Sequence, residues 1–322
     1  SPAPTNVFSA APPALARRIT LRQTVDLVRS TVDAMETEIA TFPPEDQPPL
    51  QLAILHYSRE IAFAAAQTYA RAAEVRGAWD ARLEALVVDA VIRGDAGISL
   101  MSQASTLGWT TPEAIAVIIG AAPKRPGETI EHIRRLCGRA GLETLAAQQG
   151  ERLVAVLGGT KQALRQLEET LAGCLDDFGP GHVVIGSVVS SLDDAPLSAR
   201  SALSGIRAAG AWSAAPRLVR SFDLLPERAL AGDEDARRKL SESLYLPLVS
   251  VGGELAETLT EYLDHGGSIE ATARAMFVHA NTVRYRLKRI QEITGRSPGD
   301  PRDSYAFRLA LTLGRLFGAP AQ

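Results

Sequence analysis

The sequence predicts a multidomain α and α+β protein, with an N-terminal helical domain, a central α/β domain and a C-terminal helix-turn-helix domain. Three observations carry this. Apolar residues recur at helical spacing over the first quarter of the chain. Short apolar runs then alternate with amphipathic segments through the middle, and two short helices joined by a tight turn stand near the end. The domains so drawn are 1–20 (a mobile lead-in), 21–95, 96–232 and 233–322. With 322 residues, 46% of them apolar and 22% charged, the chain can bury the cores of two or three domains. Aromatics are only 5% and Ala is abundant, which leans the composition toward helix.

In the N-terminal region Val25, Val28, Val32, Met35 and Ile39 mark a helix over Leu21 to Ala40. The stretch from Phe42 to Pro49 holds four prolines and must interrupt it. Gln51 to Arg76 and Ala78 to Arg93 read as two long helices with Ala-rich faces, closed by Gly94 and Gly97. In the middle, Ala114 to Ile119 suits a buried strand and Thr129 to Arg139 an amphipathic helix. Leu142 to Ala147 and Arg152 to Leu157 form a strand pair around a turn at Gln148 to Glu151. Gln162 to Leu175 is a helix, His182 to Ile185 a strand and Ala199 to Ala209 a helix. That order is one α/β or ferredoxin-like unit. From Asp233 onward the pattern is helical.

The C-terminal segment is the most informative. Glu254 to Asp264 is a helix ended by Gly266 and Gly267, and Ser268 can cap a short helix over Ile269 to Met276. Phe277 to Ala280 link it to a helix over Asn281 to Ile293, ended by Gly295. On that last helix Val283, Leu287 and Ile290 share the buried face. Asn281, Tyr285 and Lys288 lie opposite, Arg284 and Arg289 flank them, and Arg286 is nearer the core edge. An amide, a phenol and several cations on one exposed face are the donors that base edges and phosphates require. Asp300, Pro301 and Asp303 open a final helix whose Phe307, Ala310, Leu311 and Gly314 pack on this unit.

Charge is sorted along the chain. Residues 265–296 hold six basic side chains against two acids, a local +4 on a protein of net charge −3, so the rest carries −7. A basic block on an acidic protein expects an anionic partner for that block alone.

The text from Thr258 to Gly295, above all Val278 to Ile290 (VHANTVRYRLKRI), followed by Asp300 to Leu316, resembles the C-terminal helix-turn-helix of PucR/CdaR-type bacterial transcriptional regulators. Ala280 departs from the Arg or Pro often found after the His. The resemblance implies binding to double-stranded promoter DNA, with Asn281, Thr282, Arg284, Tyr285, Arg286, Lys288, Arg289 and His279 as the DNA-binding residues. It also implies ligand-dependent control, hence a small-molecule effector; and since a lone helix-turn-helix contacts too few phosphates for tight specific binding, a homodimer or higher even oligomer is expected. Residues 100–222 resemble the family's degenerate GGDEF-like domain, with landmarks at Leu107-Gly108-Trp109, near Arg152 and over Val183 to Leu203. A working diguanylate cyclase needs paired acids in that hairpin to hold divalent metals. Here the hairpin reads Gln149-Gly150-Glu151-Arg152-Leu153, one acid followed by a cation. Residues 21–93 resemble an RsbR-type sensor module. The whole arrangement, with Pro226 to Leu248, is most similar to family members that govern fatty-acid synthase genes in actinobacteria, with a purine, amino-acid or sugar-acid response as the alternative. The other class of reading is a nucleotide-binding signalling protein or enzyme that uses the central domain.

Several other chemistries find no support. The five histidines, His56, His132, His182, His265 and His279, lack metal-ligand spacing, and Gly158-Gly159-Thr160-Lys161 lacks the spacing of a phosphate loop and reads as a β-turn into a helix. No Gly-x-Ser-x-Gly occurs, so neither a catalytic site, a metal nor a cofactor is expected. Cys137 and Cys174 read as reduced thiols of a cytoplasmic protein. No leader is visible. The longest apolar run, Ala114 to Ala122, is far short of the roughly 20 residues that span a bilayer, so no membrane partner is expected. Trp79, Trp109 and Trp212 suit a core, though Trp109 beside Gly108 could stack a small effector.

Overall fold

The computed structural model describes residues 21–95 and 97–317, so the lead-in drawn over 1–20 lies outside the described residues. The chain divides into two compact units, one up to Leu83 and one from Glu84 onward. Two helices build the first: α1, Leu21–Ile39, and α2, Gln47–Arg93, the second continuing into the next unit. The two helices expected over 51–93 are therefore one. Gly77 costs a helix interior only about 1 kcal/mol and does not break it. Pro48 and Pro49 fall in the first turn of α2, where the missing amides have no intrahelical partner to lose. The hairpin of α1 and α2 is joined by a hydrogen bond between Thr24 and Tyr69 (2.7 Å), and Ile39 and Ala65 are buried within it.

The second unit opens with α3, Ile98–Thr106, and a five-stranded sheet ordered β2-β3-β1-β4-β5. The strands are β1 (Ala114–Ala121), β2 (Glu143–Gln149), β3 (Arg152–Gly159), β4 (Val183–Ile185) and β5 (Leu218–Arg220). β1 is central and antiparallel to β3 and β4, while β4 and β5 run parallel. All of β1 but its last residue is buried, because both faces are covered. Ala114, Ala116 and Ile118 pack with Ile133 and Cys137 of α4 (Pro126–Arg139) and with Leu164, Leu167 and Leu171. Ile115, Val117 and Ile119 pack on the other side with Val87, Val88 and Val91, the last turns of α2, and with Ala195, Ala199 and Ala202 of α7 (Ala195–Ala208). The helix expected over 162–175 is two short ones, α5 (Lys161–Arg165) and α6 (Leu167–Ala172), broken at Gln166. α3 and β5 were not legible in the sequence. β5 is three residues long at a sheet edge, too short to show a period.

The remaining helices form a third core: α8 (Leu225–Leu230), α9 (Glu234–Leu240), α10 (Leu246–Ser250), α11 (Glu254–Asp264), α12 (Ile269–Ala275), α13 (Ala280–Thr294) and α14 (Pro301–Phe317). A π-helical turn, Ser241–Tyr245, joins α9 to α10; Pro247 lacks the amide that would continue the ordinary ladder. Gly314 of α14 lies against Tyr245, where a Cβ would come within 2.2 Å of the ring.

Candidate nucleic-acid interface

The helix pair α12 and α13 is fixed at three points, the start of α12, the turn and the start of α13. Ser268 caps α12, its hydroxyl accepting from the Ala271 amide (3.2 Å), as its position implied. His279 caps α13 through Nδ1, which accepts from the Asn281 amide (3.2 Å). Between them Phe277 takes a left-handed φ of 56°, the one non-glycine residue with positive φ among the described residues, and its side chain is 96% exposed. Gly295 ends α13 in the left-handed conformation.

α13 docks through Val283 and Ile290, both fully buried, with Leu287 packed on the same core. Asn281, Arg284, Tyr285, Lys288 and Arg289 are exposed, Tyr285 at 70%, and Thr282 is partly buried. The cations on this helix are not equivalent. Arg286 reaches back to α11, donating to Glu254 (2.6 Å) and Thr258 (3.1 Å), and is only 17% exposed. It therefore holds the angle between α11 and α13. Arg284 donates to the Asn281 side-chain oxygen (2.9 Å) and lies 3.4 Å from Glu270, which fixes the amide beside the helix start. Arg289 has an exposed pair with Glu292 (3.0 Å). Lys288 has no ion pair among the described residues.

Two further residues of the basic block separate in the same way. Arg296 is bound to Asp303 (2.8 Å) and lies over the Phe222 ring at 5.4 Å. Arg274, exposed in the last turn of α12 and unpaired among the described residues, sits one turn before the reading helix. The sequence counted Arg274 in the charge but did not single it out. Its signal was its place at the end of the helix before the turn. Asp303, expected to bond back to the cap of α14, instead accepts from Ser297 (2.9 Å) and Arg296, while Asp300 alone caps through the amides of Arg302 and Asp303.

In the central domain the hairpin closes with a two-residue loop, Gly150 and Glu151, where only Gly150 has a positive φ (58°), the pattern of a type II′ turn. Glu151 and Arg152 are exposed. Among the described residues no three His, Cys, Asp or Glu side chains are placed to hold a metal. Gly158 and Gly159 are packing glycines rather than a phosphate loop. A Cβ on Gly158 would meet the Trp109 ring at 2.7 Å, and one on Gly159 would meet Leu142 at 2.6 Å. No β-turn follows them: β3 runs to Gly159, and Thr160 caps α5 directly. Trp109 is core, 5% exposed, and is not available to stack an effector. Cys137 and Cys174 are buried free thiols; burial pushes the Cys174 thiol up to about 12, so neither reacts readily. No described helix is long and apolar enough to cross a membrane.

A tight helix pair whose second helix exposes cations and amides and carries no acid of its own over residues 280–291 defines a DNA-binding helix-turn-helix protein. The PucR C-terminal helix-turn-helix domain matches residues 255–313 and the GGDEF-like domain matches residues 93–208. The chain belongs to the PucR-type family of transcriptional regulators. It is 44% identical to an uncharacterised protein of Mycobacterium tuberculosis over 320 residues, 96% of this chain and 77% of that one. The crystal structure of a regulator of polyketide synthase expression from Bifidobacterium adolescentis aligns with TM-score 0.62 and 31% identity, covering 73% of this chain and 92% of that one. The purine catabolism regulatory protein of Bacillus subtilis is 44% identical over 62 residues, 19% of this chain and 12% of its own length.

Proposed function

We propose that this protein reads a promoter sequence in double-stranded DNA as a dimer or higher even oligomer, and that its targets are fatty-acid biosynthesis genes. The observation that carries the DNA reading is the division of labour on α13. The apolar residues and Arg286 are consumed in docking the helix, while Asn281, its side-chain oxygen held by Arg284, stands exposed on the opposite side with Tyr285 and Lys288, and Thr282 lies half-buried on the flank. Asn281 and Tyr285, at the helix start, suit base edges. Lys288, Arg289 and Arg274 suit phosphates on either side, and Arg284 braces Asn281. His279 acts through its cap, by setting the direction in which α13 begins.

The target rests on the resemblance over residues 21–316 and on the likeness to the regulator of polyketide synthase expression. Polyketide and fatty-acid synthases extend chains by the same acyl condensation, so regulators of the two share a metabolic setting. The relatives named for purine and carbohydrate-diacid control match only 19% and 26% of this chain, which favours those responses less. The central domain serves as scaffold and receiver of an effector, because Arg152 follows Glu151 in a hairpin that would otherwise gather metal-binding acids.

Chromatin immunoprecipitation with sequencing tests both levels. Enrichment at fatty-acid synthase promoters is expected. Enrichment elsewhere alone removes the target, and no enrichment anywhere removes the DNA reading. Incubation with GTP and Mg²⁺ is expected to give no turnover above background; turnover would make the central domain an enzyme.

A further inference from the structure

The first unit is a two-helix hairpin, and α2 within it has apolar residues on two sides. At 100° per residue, Leu50, Ile54, Ile61 and Ala65 lie together, and with Met35 and Ile39 of α1 the first two line a groove of about 540 Å³. Leu52, Leu55, Phe63, Ala66 and Ala70 form a second stripe roughly 150° further round. All five are exposed, and the three large ones by more than half. A helix that is apolar on opposite sides is one that packs between two neighbours, and among the described residues of this unit α1 supplies one of them.

The stripe recurs at intervals of three and four residues, the spacing of a helix seam, and its centre is Arg59. Arg59 has the Glu60 carboxylate 3.7 Å away, both side chains being about half exposed. A partner that presents the same two charges lets each guanidinium reach the other's carboxylate, so this seam is complementary to itself. Ala66 and Ala70 let two backbones come close, and Leu52, Leu55 and Phe63 fill the wider end. A parallel pair also keeps the Arg93 ends of both helices together, about 70 Å from their starts for a helix of 47 residues.

We propose that the outward face of α2 is where two copies of this chain join, as a parallel pair with Leu52, Leu55, Phe63, Ala66 and Ala70 in the seam and Arg59 crossing to Glu60 of the other copy. The inference deepens the even oligomer of the proposed function, since it takes the second copy from the two half-sites that helix-turn-helix proteins read.

The test is sedimentation equilibrium of the full chain at micromolar concentration, with circular dichroism alongside. The unmodified protein is expected at dimer mass. Leu55→Glu with Phe63→Glu should give a monomer with unchanged helix content, because both side chains are already exposed. Arg59→Glu should weaken association at least tenfold, and Arg59→Glu with Glu60→Arg should restore it. Leu52→Cys should cross-link to itself on oxidation, whereas the unmodified chain, whose cysteines are buried, should not. A monomeric unmodified protein, or a dimer indifferent to the Glu pair, overturns the proposal. Cross-links that form only between Leu52→Cys and Ala70→Cys chains overturn the parallel arrangement. DNA binding is measured separately: a dimer joined through this seam that binds no genomic DNA ends the DNA reading and leaves this one standing. A dimer that binds DNA but ignores the seam variants does the reverse.

Discussion

Phe277 holds a left-handed backbone at the turn before the reading helix, and its ring makes almost no contact with the protein. That conformation costs an L-residue about 1–2 kcal/mol, and an exposed ring recovers little of it. Phe277→Gly is therefore expected to raise stability by about 0.5–1 kcal/mol, after the extra chain entropy that glycine loses on folding, read as a higher denaturant midpoint. Two cations on α13 give opposite expectations despite similar positions in the sequence. Arg286→Ala leaves Glu254 and Thr258 without their donor and should lower thermal stability along with DNA affinity. Lys288→Ala should leave the melting temperature unchanged, weaken binding to operator and random DNA alike, and lower the salt slope by about one unit. Asn281→Ala should instead cost about 1–3 kcal/mol on the operator and little on random DNA. Titrations against both DNAs at two salt concentrations, with melting curves, separate the three.

The short elements α8 and α9 are held by a buried charge. Arg228 is 1% exposed and donates to Asp233 (2.8 and 3.0 Å) and to the Ser221 carbonyl (2.8 Å). Asp233 also caps α9 through the Ala236 amide (3.2 Å). Burial alone would raise the Asp233 carboxyl, but hydrogen bonds from Ser204 and Arg228, together with the Arg228 charge, hold it below the usual carboxylate range. A depressed folded value contributes stability that is present above the unfolded value near 4 and is lost as the pH falls through the folded one. Asp233→Asn leaves the buried Arg228 guanidinium with only the Ser221 carbonyl and the Asp235 carboxylate 3.9 Å away, and is expected to cost about 3 kcal/mol at neutral pH. It should also flatten the loss of stability below about pH 4, which melting temperatures recorded from pH 2 to 7 would reveal.

Across the second unit, Arg302 at the start of α14 reaches the segment that leaves the sheet. It pairs with Glu227 of α8, which is buried, donates to the Asp223 carbonyl (2.5 Å) and lies 4.1 Å from the centre of the Trp212 ring. Lys239 and Ser187 add a second link (3.3 Å) between α9 and the end of the sheet. The GGDEF-like domain, with the segment that follows it, and the helix-turn-helix are thereby joined by side-chain contacts. Arg302→Ala leaves Glu227 buried without its partner, and it should cost more than about 2 kcal/mol. It is also expected to split one calorimetric unfolding transition into two. A single transition at an unchanged temperature would show that Arg302 does not carry the coupling.

The sequence by itself determined the elements whose information is local. The period of Val283, Leu287 and Ile290 fixed the docked face of α13. Gly295 marked its end, Ser268 and Asp300 the starts of its neighbours, and the unbroken apolar run of Ala114 to Ile119 marked a buried strand. These are legible because caps, periods and left-handed glycines act within one or two turns. Tertiary structure decided what depends on distant partners. It took Trp109 into the core, because Gly158, 49 positions later, leaves room for the ring. It also sorted the six cations of residues 265–296 into structural and free ones. Glu254, Glu270 and Asp303 sit 32, 14 and 7 positions from the arginines they bind, and a charge count cannot see which acid the fold will bring to which cation.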